Sequence, residues 1–157
     1  MIELIDYSRL NVNERLDLAY NLMIPSELSI LSHDENVDVV IATLKNPYVS
    51  FETMLRCSSS PDSRIRSAVA ECSYPRILRE LANDRCFNVC ISVANNKKTP
   101  AISLDRLSFD SCWYIRYSVA KNPNTFNQTL SCLMQDENVL VRTAAKEAIE
   151  KRIIRVD

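Results

Sequence analysis

A nine-residue apolar phrase recurs along this chain at a nearly fixed interval. Residues 115–123 read Ile-Arg-Tyr-Ser-Val-Ala-Lys-Asn-Pro, and related copies begin at Val39, Ile65, Val89 and Val141. The starts lie 26, 24, 26 and 26 residues apart. A constant period of this size marks a repeat architecture, in which each unit buries its apolar face only by stacking on its neighbours. Within the phrase, position 0 and position +4 are apolar or small, Thr43 excepted, and position +3 is always Ala or Ser. That is the spacing of one helix face.

Glycine is absent from all 157 residues. Sheet turns and phosphate-binding loops draw on glycine for positive φ. The composition therefore favours an all-helical chain whose turns use Asn, Pro, Ser and Asp, and it excludes every glycine-rich nucleotide motif. About 46% of the residues are hydrophobic and 25% charged, as in an ordinary globular protein.

A second, shorter phrase follows each first one. Its anchors are Leu28 and Leu31, Met54 and Cys57, Leu78 and Leu81, Leu104 and Leu107, and Leu130 and Leu133. Each pair is three apart, on one helix face. Thr99 before Pro100 reads as a helix N-cap, and Thr125 with Gln128 as a capping box. Pro25-Ser26 and Ser50-Phe51-Glu52 read as further helix starts. Asp34, Asp84, Asp110 and Asp136 share a turn position five residues before the main phrase, where an Asp can cap the next helix; Ser60 takes that place in the second copy. Asn21, Asn46, Asn96 and Asn122 are expected to end helices in the left-handed conformation. Residues 13–21 fit the main phrase as a degraded copy.

The expected architecture is a right-handed α-solenoid of about five two-helix repeats of 24–26 residues, the second helix short or 3₁₀. It forms one domain over 1–157, with an N-terminal cap and degraded repeat at 1–27, repeats at 28–150 and a C-terminal tail at 151–157. The motif Leu-x-x-Leu, Asp, Val-Arg-x-x-Val-Ala-x-Asn-Pro-x-Thr, best kept from Leu104 to Thr125, resembles the leucine-rich repeat variant, a short relative of HEAT and armadillo-type repeats. The resemblance covers roughly residues 13–150. It implies alternating α and short or 3₁₀ helices and a scaffold for protein partners. An iron–sulfur cluster in a cysteine-rich N-terminal segment, found in some members, is not carried over, because no cysteine precedes Cys57.

Charge and cysteine usage narrow the function classes. Residues 1–50 hold three basic and eight acidic side chains, and residues 51–157 hold sixteen basic and twelve acidic. That polarity is mild beside the dense basic patch of a committed nucleic-acid binder. Cys57, Cys72, Cys86, Cys90, Cys112 and Cys132 contain no Cys-x-x-Cys pair, and the single histidine is His33. The cysteines are expected to be small buried hydrophobes in a reducing compartment rather than metal ligands. The N-terminus lacks the pattern of a signal peptide and no stretch is apolar enough to span a bilayer, so a cytoplasmic protein with no membrane partner is expected. The composition, free of glycine and rich in Asn, Ser and Ile, suggests an AT-rich, bacterial genome.

Residues that recur take structural roles first. Arg15, Arg66, Arg116 and Arg142 hold one position and are expected to form a ladder with the turn aspartates. Function falls to the positions that vary. Positions −1, +2 and +6 form one stripe, expected on the concave face: Asp38, Ile41, Lys45; Arg64, Ser67, Glu71; Asn88, Ile91, Asn95; Tyr114, Tyr117, Lys121; Leu140, Thr143, Glu147. Asn88, Ile91, Tyr114, Tyr117, Lys121 and Leu140 are the candidate partner-binding residues, since tyrosines flanked by aliphatics suit an interaction hot spot. Phe87 and Trp113, at position −2 of adjacent copies, are expected to stack on each other as inter-repeat core.

The resulting expectation is a non-enzymatic module that binds a protein partner and uses no small-molecule cofactor. The alternative is nucleic-acid binding through the basic residues of 56–121, chiefly Arg64, Arg66, Lys97, Lys98 and Arg106, on phosphates. No nucleophile and base stand in a catalytic arrangement, and no metal site is indicated.

Overall fold

The computed structural model describes residues 6–71 and 74–154. Cys72, which closes the second copy of the phrase, lies outside them, as do residues 1–5 of the expected cap and 155–157 of the expected tail. Regular structure among the described residues is helical throughout. The chain divides into two compact units, 1–72 and 73–157.

The first unit opens with a 3₁₀ turn at Tyr7–Arg9 and contains α1 (Val12–Asn21), α2 (Pro25–Leu31), α3 (Val37–Lys45), α4 (Phe51–Cys57) and α5 (Ser63–Glu71). The long helices α1, α3 and α5 pack side by side, and each short helix packs on a long one. Ala19, Leu31, Val39 and Ala42 form a core that Tyr7, Leu16, Leu18 and Leu22 close over. The second unit contains α6 (Pro75–Leu81), α7 (Phe87–Asn95), α8 (Ala101–Leu107), α9 (Trp113–Lys121), α10 (Asn127–Leu133) and α11 (Val139–Ile153). Here α9 packs between α7 and α11, with α8 and α10 alongside. The short helices are seven-residue α-helices. All five anchor pairs, from Leu28 and Leu31 to Leu130 and Leu133, are buried, as are positions 0 and +4 of every copy except the half-buried Ile65.

The recurring polar residues tie neighbouring repeats together. Arg116 is buried and makes two bonds to Asp136, at 2.7 and 2.9 Å, while its third nitrogen donates to the carbonyls of Asp110 and Ser111. Arg15, in the degraded first copy, repeats this arrangement with Asp34 at 2.7 and 3.2 Å and the Leu10 carbonyl. Arg66 and Arg142 likewise donate to carbonyls of the preceding turn, Ser60 and Pro61 in one case, Asp136 and Glu137 in the other. Hydrogen bonding to Arg116 holds the Asp136 carboxyl below the usual carboxylate range. A charge pair this well enclosed fixes register, and loss of one partner strands the other.

The asparagines do more than end helices. No described residue has positive φ. Asn46 and Asn122 leave their helices in extended conformation, at ψ 130°, because the following proline bars the helical region. Their side-chain oxygens accept from the amides two residues on, Tyr48 and Asn124. Their NH₂ groups reach back one repeat: Asn46 to the carbonyls of Ala19 and Leu22, Asn122 to those of Ala94 and Asn96. Orphan carbonyls at one helix end are thereby satisfied by the next repeat.

Several local expectations are corrected. Thr99 and Thr125 do not cap helices; the N-cap residues are Pro100 and Phe126. Both threonines are buried and donate to the carbonyls of Val93 and Val119, each at 2.6 Å. Asp34, Asp84, Asp110 and Asp136 cap the turn rather than the helix: each accepts from the amide two residues on, at 2.8 Å. Ser50 does cap α4, accepting from the Thr53 amide. The last long helix lacks an Asn-Pro stop and runs to Ile153, so Lys151 and Arg152, expected in the tail, are helical.

Candidate functional site

In the second unit, three of the long helices carry the varying residues to one exposed face. Position −1 supplies Asn88, Tyr114 and Leu140, all exposed; position +2 supplies Ile91 and Tyr117, both half-buried; Lys121 at +6 is exposed. The six candidate partner-binding residues therefore lie on α7, α9 and α11, helices that pack consecutively.

Aromatic rings dominate this face. Tyr114 and Tyr117 stack with centroids 6.0 Å apart at 19°. Trp113 meets Tyr114 edge-on at 5.5 Å and Tyr117 at 6.5 Å. Phe87, from α7, meets Tyr114 at 6.4 Å. Such pairs add about 0.5–1.5 kcal/mol each beyond area burial, so the rings hold one another in place. They remain accessible: Phe87 is 46%, Trp113 40% and Tyr114 42% exposed, with Val139 and Leu140 more exposed still. Phe87 and Trp113 are thus not inter-repeat core; each packs on Tyr114. The signal for Trp113 was present in the spacing, because Trp113, Tyr117 and Lys121 are four apart and share one helical ridge. The exposure of Val139 follows the same position, −2, one repeat further on.

Lys121 completes the ridge. Its ammonium sits 5.3 Å from the centroid of the Tyr117 ring, a cation–π distance. Among the described residues no carboxylate lies within ion-pair range of it.

The basic residues named for nucleic-acid contact are dispersed. Arg64 is exposed on the first unit and paired to Asp62 at 2.7 Å. Arg66 is half-buried and spends one nitrogen on backbone carbonyls. Lys97 and Lys98 are exposed in the turn after α7, and Arg106 is exposed on α8.

The thiols divide by burial. Cys57 and Cys90 are buried, Cys86 and Cys112 half-buried, while Cys132 is exposed, unlike the small buried hydrophobe expected. Burial pushes the Cys90 thiol up to about 11, so it is protonated at neutral pH and donates to the Asp84 carbonyl at 3.1 Å. Among the described residues no three His, Cys, Asp or Glu side chains gather as a metal-binding group. No helix there is long and apolar enough to cross a membrane.

No family model and no curated protein matches the chain. Among solved structures it is similar to "a leucine-rich repeat variant with a novel repetitive protein structural motif", with a TM-score of 0.52 and 19% identity over 90% of this chain and 68% of that one. At that identity the likeness is one of fold, and the chain is an all-α repeat protein of the solenoid class.

Proposed function

We propose that this chain is a non-catalytic interaction module whose second unit binds a protein partner across α7, α9 and α11. The observation that carries this reading is the mutually packed yet accessible group of Phe87, Trp113, Tyr114 and Tyr117, with the exposed Leu140 on the next long helix. Exposed apolar patches rimmed by polar residues mark interaction sites, and tyrosine and tryptophan dominate interface hot spots. The rings are already ordered by their neighbours, so binding them loses little conformational entropy.

The test compares two double variants on the immobilised full chain. Y114A/Y117A is expected to reduce partner capture from source-cell extract by roughly 30-fold or more, the effect of one hot spot. D38A/K45A, at the equivalent stripe of the first unit, is expected to leave capture unchanged. Undiminished capture by Y114A/Y117A would remove this surface from the reading.

A further inference from the structure

Beside the aromatic face, the second unit has a pocket of about 340 Å³ lined by Lys121, Asn122, Pro123, Ala148, Lys151 and Arg152. It exists because α11 continues past the point where the other long helices stop. Three cations face it, and their charge is poorly compensated. Arg152 is anchored by neutral oxygens alone: the carbonyls of Thr125 and Pro123 at 2.7 and 2.9 Å, and the Asn127 amide oxygen at 2.6 Å. Lys151 has one loose, solvent-exposed partner, Glu147, at 3.9 Å. Lys121 has none among the described residues and belongs to both features, lining the pocket while its ammonium lies against Tyr117.

We propose that the partner segment is an acidic, apolar peptide whose aliphatic or aromatic side chain packs on Trp113, Tyr114, Tyr117 and Leu140, and whose carboxylate enters the pocket between Lys121, Lys151 and Arg152. This rests on the protein-binding reading above and specifies its chemistry. Charge complementarity selects the occupant. Three cations and the single acid Glu147 leave an excess positive charge that one carboxylate halves, and Arg152, pre-oriented by its three acceptors, loses little freedom on donating to it. The stacked tyrosines cover one face of each other, which suits aliphatic packing better than insertion of successive bases.

Trp113 is the only tryptophan in the chain and lies in the patch, so its fluorescence reports occupancy directly. The experiment titrates the full chain with a twelve-residue peptide alternating Asp or Glu with Leu or Phe, with the same peptide carrying Asn and Gln in place of the acids, and with oligo(dT). The acidic peptide is expected to bind about tenfold more tightly than the amide peptide, the value of one charge-assisted contact. K151E, at an exposed pocket position off the aromatic face, is expected to erase that preference while leaving amide-peptide binding intact. Equal binding of the two peptides, lost in Y114A/Y117A, would overturn the carboxylate pocket but keep the protein-binding reading. Binding of neither peptide would overturn the acidic-peptide assignment, while the capture test above still decides the protein-binding reading. Tighter binding of oligo(dT) than of the acidic peptide would overturn the peptide assignment in favour of a nucleic acid.

Discussion

The two units build their outer stripe from the same helical positions and fill it with opposite chemistry. In the first unit the stripe is polar and largely satisfied within the protein: Lys45 pairs with Glu71 at 3.9 Å, and Arg64 with Asp62. In the second unit the same positions carry Tyr114, Tyr117 and Leu140, with packed rings that water still reaches. Beneath both stripes the scaffold is alike, down to an arginine that spans to the next turn aspartate in each unit, Arg15 to Asp34 and Arg116 to Asp136. Scaffold and surface are therefore separable. Positions that repeat hold the units together, and positions that vary set what each unit presents to solvent.

That separation breaks if the repeated positions prove dispensable. R116A and R15A each leave a buried carboxylate without its partner and are expected to cost about 3–5 kcal/mol in urea denaturation, a similar amount in either unit. A loss below about 1 kcal/mol at both would remove the ladder from the scaffold. Next in size, N46A and N122A strip hydrogen bonds from buried carbonyls of the preceding repeat and are expected to cost about 1–3 kcal/mol. N95A, at an exposed position of the α7 end, is expected to change the midpoint little; equal losses at Asn95 and Asn122 would contradict the distinction.

Acid sharpens the comparison further. The folded-state carboxyl of Asp136 titrates below its ordinary value of about 3.9. Its contribution is thus complete above that value and is lost as pH falls through the folded pKa, where the unfolded chain takes up the proton first. D136N is expected to flatten the acid limb of the stability–pH curve relative to wild type, and superimposable acid limbs would refute this. The surface has its own stability effect: Y114A/Y117A removes four ring contacts and is expected to cost about 2 kcal/mol or more.

The helical phrase, the buried anchor pairs and the aspartate pairing of Arg15 and Arg116 were legible because they depend on local periodicity and on one recurring residue. The asparagine and threonine roles were not. Asn122 reaches carbonyls 26 and 28 residues back, and no local pattern reports a bond of that range. Thr125 next to a helix start has the look of a cap, yet its hydroxyl turns back to Val119, the nearer buried acceptor. Tyr114, Tyr117 and Leu140 stand out in the sequence as departures from a repeated pattern, while Phe87 and Trp113 share position −2 in adjacent copies, which suggests stacking on each other in the core rather than the exposed packing on Tyr114. The cationic pocket was hidden for a different reason. It needs Lys151 and Arg152 on a helix, and α11 continues there only because nothing stops it.

The most direct test of the account is backbone-amide NMR of the full chain with the acidic peptide added stepwise. Shift changes are expected to gather on Phe87–Ile91, Trp113–Lys121 and Val139–Thr143 in the second unit, and to leave Asp38–Lys45 and Arg64–Glu71 unmoved. Changes centred on the α3 and α5 stripe instead, or spread evenly over both units, would contradict it.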